Sequence, residues 1–197
     1  MAKRPPGRPR KEIDLSAVAE GVARLFAHGG YEAVSIEAVA EELSVSRATL
    51  YRTVPTKDHL LGILFERSTG HLDRAATALV AEGREPADEL VSLVRLHVLA
   101  AIETRQYMAV LFGGAGLAPD VYARWRKFRR KYERLWVGVV RRAMKAGVLG
   151  PGDPVLTTRL LLGMVIWVSR WYRPSEKYTA EQISEAVMAL IGQHSPR

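Results

Sequence analysis

Apolar residues recur at helical spacing along almost the whole chain. In the first such stretch Val18, Val22 and Phe26 fall on one side of a helix, and later stretches repeat the pattern at every third or fourth position. No stretch alternates apolar and polar residues at period two, and neither Asn-Gly nor Asp-Gly marks a hairpin. The pattern therefore predicts an all-α protein of about nine helices.

Residues that start and stop helices divide the first part of the chain into three helices. Gly29 and Gly30 end the first, because glycine adopts the left-handed conformation that closes a helix. Ser35 is placed to cap the second, and Pro55 limits the third. The three predicted helices cover about 15–28, 36–43 and 46–53 and form a compact domain at 12–56.

Similar signals predict a larger helical domain behind these three helices. Pro86 and Pro119 suit the first turns of helices, Asp153 is placed as a cap, and Thr179 with Gln182 has capping-box spacing. The predicted helices of this domain, residues 57–197, cover about 57–83, 86–104, 106–112, 119–146, 154–171 and 180–192.

Charge and composition narrow the class of protein. The 197 residues carry a net charge of +8 and no cysteine, which excludes disulfides and thiolate metal sites. The longest apolar run, Leu160 to Val168, is too short to span a bilayer, and no secretory signal is visible. We therefore expect a soluble cytoplasmic protein with a polyanionic partner. The basic residues cluster in a disordered arm at 1–11 (Lys3, Arg4, Arg8, Arg10, Lys11) and at Arg124, Arg126, Lys127, Arg129, Arg130, Lys131 and Arg134.

Residues 35–54 have the layout of a helix-turn-helix. In that motif two short helices are joined by a tight turn, and the second helix lies in the major groove of DNA while the first packs behind it. Ile36, Leu43 and Leu50 supply the buried seam that such a pair needs, and Ser44 begins a turn of the right length. Spacing alone leaves the interpretation open, since many helical bundles contain similar pairs.

The residues themselves resemble the DNA-binding segment of the tetracycline-repressor (TetR) family. Residues 34–61 read VSIEAVAEELSVSRATLYRTVPTKDHLL, in which Leu-x-Val-Ser, Thr-Leu-Tyr and Lys-Asp-x-Leu match that family's pattern in order. Ser44 and Ala48 depart from it, since glycine is common at both positions. Thr53 and Val54 stand where His or Tyr and then Phe are usual. We expect Val54 to keep the core role of Phe, whereas Thr53 loses reach toward a phosphate.

The resemblance implies which residues read double-stranded operator DNA. Ser46, Arg47, Ala48 and Tyr51 lie on the first two turns of the reading helix, where side chains reach base edges. Arg47 can make a bidentate pair with guanine, and Ala48 can touch a thymine methyl group. Two structural alternatives stay open, namely Tyr51 as a core residue and Arg47 as a solvated surface arginine.

A second group of residues is expected to contact phosphates. Ser35 and Lys57 lie at helix N-termini, where backbone amides and the helix dipole favour an anion. Thr49 and Thr53 are expected to contact phosphates rather than bases, which positions the protein without specifying a sequence.

The N-terminal arm offers a further contact with DNA. Residues 6–10 read PGRPR and resemble the core of an AT-hook, in which proline keeps the backbone extended. Arg8 and Arg10 would then enter the narrow minor groove of an A/T tract. A disordered basic tail that adds only nonspecific affinity is an equally good interpretation.

The TetR resemblance also implies a small-molecule effector and a homodimer. An effector pocket is expected among aromatic residues of the larger domain, with a histidine as polar anchor, although aromatics at helical spacing commonly form core. The expected pocket residues are His97, Tyr107, Phe112, Trp125, Phe128, Tyr132, Trp136 and Trp167. The last two helices suit a four-helix dimer interface, although either could be internal core. Its expected residues are Leu160, Gly163, Met164, Trp167, Ile183, Val187 and Leu190.

Residues 167–174 narrow the effector class. They read WVSRWYRP and resemble one subgroup of the family, in which W-Y-x-P ends the penultimate helix and members often sense acyl-CoA thioesters. The resemblance implies an acyl-CoA-like effector, whose phosphates the basic face of the predicted seventh helix (119–146) could hold. A solvated face explains the same charges at least as well.

Two other classes of protein fit the sequence less well. The five histidines lack metal-ligand spacing and no Ser/His/Asp set stands out, so we expect no catalysis, metal site or cofactor. A basic helical protein that binds nucleic acid or membranes nonspecifically would explain the charge but not the ordered motif. The sequence favours a ligand-responsive regulator, most simply a repressor that a small hydrophobic effector releases from a palindromic operator. Activation of transcription stays open, as do the effector and the operator sequence.

Overall fold

The described residues of the chain form helices and the turns that join them. The computed structural model describes residues 13–111 and 117–192, within which every regular element is an α-helix, so the all-α prediction is confirmed. No helix in these two ranges combines the length and apolar character needed to cross a membrane. The helices are α1 Leu15–Ala33, α2 Ile36–Glu42, α3 Arg47–Thr53, α4 Lys57–Ala81, α5 Pro86–Leu111, α6 Pro119–Lys145, α7 Pro154–Trp171 and α8 Ala180–Gly192.

The described ranges hold eight helices where about nine were predicted, and the difference lies in α5. The segment at 106–112 is not a separate helix, because α5 continues without a break from Pro86 to Leu111. No glycine or proline follows Thr104 within α5 to end it, and the Thr104 hydroxyl donates to the Ala100 carbonyl one turn earlier (2.6 Å). Phe112 lies outside the described residues, and the basic helix predicted as the seventh is α6.

Side chains cap most of the helix starts, and the caps predicted at Ser35, Asp153 and Thr179 are among them. Thr179 and Gln182 bond reciprocally at the start of α8, each side chain accepting from the other's backbone N–H (3.3 and 2.9 Å). In α1 the predicted stop at Gly29 and Gly30 is a kink, where Gly30 has φ 65°, and one further turn follows. The other caps that accept a backbone N–H are Asp14 (2.8 Å), Ser35 (3.0 Å), Ser46 (3.1 Å), Thr56 (3.3 Å) and Asp153 (2.7 Å).

Two apolar cores organise the molecule. The smaller holds α1–α3 together, and we call this part the helix-turn-helix unit; the larger lies among α4–α8, which we call the helical body. Within the body α5 packs against α4, α6, α7 and α8, and it also reaches α1. Leu60, Leu61 and Leu64 of α4 belong to the smaller core. The predicted domain boundary at 56 therefore falls about two turns before that core ends.

Candidate functional site

The turn between α2 and α3 sets the angle of the helix pair. Ser44 has φ 51°, in the left-handed region that side chains other than glycine rarely adopt. This conformation lets the Val45 N–H donate back to the Ala40 carbonyl and the Ser44 N–H donate to the Glu41 carbonyl, both at 2.9 Å. Glycine is common at this position in the family that the sequence resembles, and the turn requires a left-handed conformation there. Ser44 adopts this conformation with some backbone strain.

Helix α3 rests on the helix-turn-helix unit by a narrow apolar edge and leaves its other faces open. Leu50 is its one buried residue, and Val54 directly behind it is fully buried, in the core role expected for it. Tyr51 is 54% exposed, which excludes the alternative of a core residue. Ala48 and Thr53 are exposed as well. The predicted base-reading side chains therefore lie on an open face of a helix that is anchored from behind.

The first turn of α3 is engaged in contacts of its own. The exposed guanidinium of Arg47 forms an ion pair with Glu37 of α2 across the turn. The Ser46 hydroxyl caps α3 and also hydrogen-bonds the Thr49 hydroxyl (2.8 Å). Arg47 is neither buried nor simply solvated, and any contact it makes with a base must replace its contact with Glu37.

The predicted phosphate contacts lie at helix starts. Ser35 caps α2, and Lys57 begins α4 with its ammonium 3.6 Å above the centre of the Tyr31 ring. Sequence reasoning passed over Arg52, which is exposed on the last turn of α3 and has no ion pair or hydrogen bond with the described residues. Arg52 lies four residues after Ala48 and therefore on the same face of the helix, and this spacing could have identified it from the sequence. The arm with Arg8 and Arg10 lies outside the described residues.

A cavity of about 580 Å³ lies in the helical body among α4, α5, α6 and α7. Its walls are mainly apolar, and its volume lies in the usual range for small-molecule sites. The lining residues are Phe65, Ser68, Thr69, Leu72, His97, Ala100, Ala101, Thr104, Trp125, Phe128, Arg129, Tyr132, Glu133, Arg159, Leu162, Gly163, Ile166 and Ser169. The predicted pocket residues His97, Trp125, Phe128 and Tyr132 are all in this wall.

Two predicted pocket residues lie elsewhere because of their positions on their helices. Trp136 is fully buried in the larger core, where its ring meets His97 edge-on at 5.7 Å between centroids. Trp167 is 64% exposed on α7. Neither lines the cavity, so both are removed from the pocket set.

Tyr107 lies behind the cavity wall rather than in it. Its hydroxyl hydrogen-bonds Ser68, which lines the cavity, at 2.9 Å. Its ring meets Phe26 of α1 edge-on, with 6.2 Å between centroids. Tyr107 is removed from the pocket set too, and it joins the cavity wall to the helix-turn-helix unit.

The wall that α4 contributes was missed from the sequence. Phe65, Ser68, Thr69 and Leu72 line the cavity at spacings of three and four residues. Phe65 and Leu72, at apolar positions of this helix, carry that spacing in the sequence as well. Periodicity identifies the inward face of a helix and does not say whether a neighbour or a void lies opposite.

The polar centre of the cavity is a histidine beside a tyrosine. His97 is 6% exposed, and its Nδ1 lies 3.3 Å from the hydroxyl oxygen of Tyr132. Burial lowers the pKa of His97 from 6.5 to about 4, so its ring is neutral at physiological pH. Burial also raises the pKa of Tyr132, whose hydroxyl therefore keeps its proton.

Charged groups lie at the rim of the cavity. The guanidinium of Arg129 lies 5.1 Å above the Trp125 ring, and Arg159 pairs with Glu133 at 2.8 Å. Both arginines are exposed, although they contribute to the lining. The site can therefore receive an apolar body inside and an anionic group at its mouth.

The last two helices expose an apolar surface, but only part of the predicted interface lies on it. Leu160, Trp167 and Leu190 are each more than 60% exposed, and Leu156, which was not predicted, is 59% exposed. Gly163 is exposed and Met164 is half-buried. Ile183 and Val187 are buried in the larger core of their own chain, because they lie on the side of α8 that packs against α5. These two are therefore removed from the interface set.

Comparisons with known families agree with this arrangement. A family model described as "Tetracyclin repressor-like, C-terminal domain" matches residues 83–194. A model described as "Bacterial regulatory proteins, tetR family" matches residues 20–62, which hold α2, α3 and the start of α4. The chain belongs to the TetR family. The predicted resemblance is thus confirmed, and this TetR-family chain is a regulatory protein.

Relatives of the TetR-family chain match most of its length. The HTH-type transcriptional repressor KstR of Mycolicibacterium smegmatis is 30% identical over 196 residues, which cover 89% of this chain and 85% of KstR. The TetR family transcriptional regulator PfmR from Thermus thermophilus has a TM-score of 0.78 at 27% identity, over 91% of this chain and 99% of PfmR. AibR, in complex with isovaleryl coenzyme A and operator DNA, has a TM-score of 0.76 at 24% identity, over 90% of this chain and 97% of AibR.

Proposed function

We propose that this chain is a homodimeric transcriptional repressor that a small hydrophobic effector of the acyl-CoA type releases from a palindromic operator. The observation that carries the proposal is the double use of α4. Leu60, Leu61 and Leu64 pack in the core of the helix-turn-helix unit, while Phe65 and Ser68 on the next turn line the cavity. An effector that favours another position of α4 would change the placement of α3 and shift the population away from the DNA-bound state.

Contacts with DNA are proposed for the exposed face of α3 and the helix starts beside it. Arg47, Ala48 and Tyr51 would read bases, with Ser46 beside them. The proposed phosphate contacts are Ser35, Thr49, Thr53 and Lys57. The arm with Arg8 and Arg10 would add affinity through the minor groove.

The shape and charge of the cavity support an acyl-CoA-like effector. Its interior would take the acyl group, and Arg129 and Arg159 at the rim would attract the phosphates of the carrier. AibR, whose fold is similar, has been solved with isovaleryl coenzyme A and operator DNA. The exposed residues of α6 (Arg126, Lys127, Arg130 and Arg134) could assist, but a solvated face explains them as well.

A dimer is proposed through the exposed apolar face of α7 and α8. Leu156, Leu160, Gly163 and Trp167 form one stripe at helical spacing on α7, and Leu190 of α8 is also exposed. Two-fold symmetry would then require two operator half-sites in inverted orientation. Because DNA and acyl-CoA metabolism share the bacterial cytoplasm, we propose that the protein acts there, without catalysis or a cofactor.

Binding-site selection from a random duplex library, followed by titration of the selected site, tests DNA reading. We expect a palindrome, and we expect Arg47→Ala to lose about 1–3 kcal/mol of discrimination at one base position. Arg24→Ala is a matched control, since Arg24 is also an exposed arginine paired with a glutamate (Glu42, 2.6 Å) but lies on α1. If no sequence is enriched, or if Arg47→Ala weakens all sequences equally, the chain is instead a nonspecific polyanion binder.

Release is tested by adding acyl-CoA thioesters, from butyryl to palmitoyl, to the complex with the selected operator. We expect at least one thioester to raise the operator Kd, and we expect free CoA at the same concentration to have no effect. If the protein stays bound to the operator in the presence of every thioester tested, the proposed effector class is wrong.

The proposed dimer is tested by sedimentation of Trp167→Glu. This variant should be monomeric where the natural chain forms dimers, since it places a charge in the apolar stripe.

A further inference from the structure

The hydroxyl groups that line the cavity are already committed to the backbone. Each donates its proton to a carbonyl in its own helix, so it can offer a ligand only an acceptor. These bonds run from Ser68 to Leu64 (2.9 Å), from Thr69 to Phe65 (3.0 Å), from Thr104 to Ala100 (2.6 Å) and from Ser169 to Ile166 (2.8 Å).

His97 differs from these hydroxyls because one of its polar atoms is unused. Its Nδ1 faces the Tyr132 hydroxyl, whereas its Nε2 has no hydrogen-bond partner among the described residues. His97 is 6% exposed and forms part of the cavity wall. Its Nε2 is not among the fully buried polar atoms that lack a partner, so a molecule in the cavity can reach it. A partnerless polar atom in a mainly apolar wall favours a ligand that satisfies it.

The surroundings of Tyr132 select the tautomer of His97. Burial raises the pKa of Tyr132, so its hydroxyl keeps a proton to donate. Among the described residues, that hydroxyl has one side-chain hydrogen-bond partner, His97 Nδ1 at 3.3 Å. A buried hydroxyl whose proton goes to Nδ1 makes that nitrogen the acceptor. The neutral ring then carries its own proton on Nε2.

We infer that His97 Nε2–H is the donor that recognises a hydrogen-bond acceptor oxygen on the acyl part of the effector. The inference rests on the proposed function and sharpens it, because it separates effectors that carry such an oxygen near His97 from purely hydrocarbon ones. Two sources of the oxygen are compatible with the cavity: the thioester carbonyl itself, or a keto group further along the acyl chain. The positioning residue is Tyr132, which fixes the tautomer.

The test measures effector binding by calorimetry on the full-length dimer without DNA. The best-binding saturated thioester is compared with its thioether analogue, which lacks the carbonyl oxygen, and with an oxo-substituted thioester of equal length. In the natural chain, either the saturated thioester should bind more tightly than its thioether analogue, or the oxo-substituted thioester should bind more tightly than the saturated one. The expected difference is about 3- to 10-fold, as one neutral hydrogen bond allows. His97→Phe should abolish that preference, and His97→Gln, which keeps a donor, should restore part of it.

Thr104→Val is the matched control, since it alters a hydroxyl of the same wall whose proton is already used. It should keep the preference of the natural chain. Operator binding without effector should be unchanged in all three variants, which verifies that each is folded.

Each outcome separates the inference from the proposed function. Loss of the thioester-over-thioether preference in His97→Phe identifies the thioester carbonyl as the partner, and loss of the oxo preference identifies the chain oxygen. If thioesters bind but His97→Phe keeps the preferences of the natural chain, the inference is wrong and the proposed effector class stands. If no thioester binds the natural chain, the proposed effector class falls and the inference falls with it.

Discussion

The two cores of this molecule are built differently. In the described part of the helix-turn-helix unit every buried side chain is apolar. The helical body encloses about 580 Å³ of cavity. It also contains all the buried polar or charged side chains of the described residues: Glu89, His97, Thr158, Ser169 and Ser184.

This difference separates two tasks. A surface that reads DNA needs a rigid support, and close packing of apolar side chains between short helices supplies it. A site that senses a ligand needs room and a few polar atoms, which cost stability wherever they are placed. The molecule keeps that cost away from α3 and connects the two regions through α4 and Tyr107. The predictions below test how far the two regions are independent, from the largest expected effect to the smallest.

Removing one leucine from each region should have unequal effects. Leu50 is fully buried in the closed core of the helix-turn-helix unit, so Leu50→Ala should lower the free energy of unfolding by about 3–4 kcal/mol. Leu162 borders the cavity and has fewer neighbours on that side, so Leu162→Ala should cost only about 1–2 kcal/mol. Urea unfolding at one fixed protein concentration measures both, and equal losses would contradict the comparison.

Acid should destabilise the helical body through His97. The pKa of this side chain is 6.5 when unfolded and about 4 in the fold, so between these values the unfolded chain binds a proton that the folded chain excludes. This contribution to stability is complete above pH 6.5 and is lost as the pH falls to about 4, a loss of about 3 kcal/mol.

Unfolding measured at several pH values in this range tests that assignment. In His97→Gln the corresponding part of the pH dependence should vanish. His28, an exposed histidine of α1, provides the control, and His28→Gln should leave the slope of the natural chain. A slope that His97→Gln does not change would place the acid sensitivity in other groups.

Tyr107→Phe should loosen the connection between the two regions. The variant keeps the edge-on packing against Phe26 and loses the hydrogen bond to Ser68. We expect little change in effector binding or in operator binding alone, but the effect of effector on the operator Kd should fall by about 5-fold, or about 1 kcal/mol. Tyr178→Phe, at an exposed tyrosine before α8, should leave the effect unchanged. An unaltered effect in Tyr107→Phe would show that the hydrogen bond to Ser68 does not carry the connection.

Ser44→Gly should stabilise the helix-turn-helix unit slightly. Glycine adopts φ 51° without a side-chain clash, so we expect a gain of about 0.5–1 kcal/mol in the free energy of unfolding. Ser44→Ala keeps the clash and should show no gain. Thermal unfolding of the three proteins under one set of conditions decides the point, and a gain in Ser44→Ala would attribute the effect to the hydroxyl instead.

Local signals made the helix boundaries predictable. Caps such as Ser35 and Asp153 act within one turn, so the sequence carries the whole interaction. The number of helices in the described ranges was overestimated because one helix was predicted to end near Thr104, where no glycine or proline breaks α5.

Positions that depend on the packing of distant helices were less predictable. Trp125 and Trp136 both point inward from α6, and only the fold decides that one meets the cavity and the other meets core. Ile183 and Val187 form a stripe that fits a partner helix as well as it fits α5 of the same chain. A periodic pattern gives the direction of a side chain but not the identity of its neighbour.

The continuity of α4 has a consequence for how sensitively the protein would respond in a cell. Thermodynamic linkage is reciprocal, so an effector that weakens operator binding by some factor is itself bound more weakly by the same factor when the operator is occupied. Protein on DNA would then respond only at higher effector concentrations than protein free in solution. The number of operator copies would therefore help to set the threshold of the response, although no operator touches the cavity.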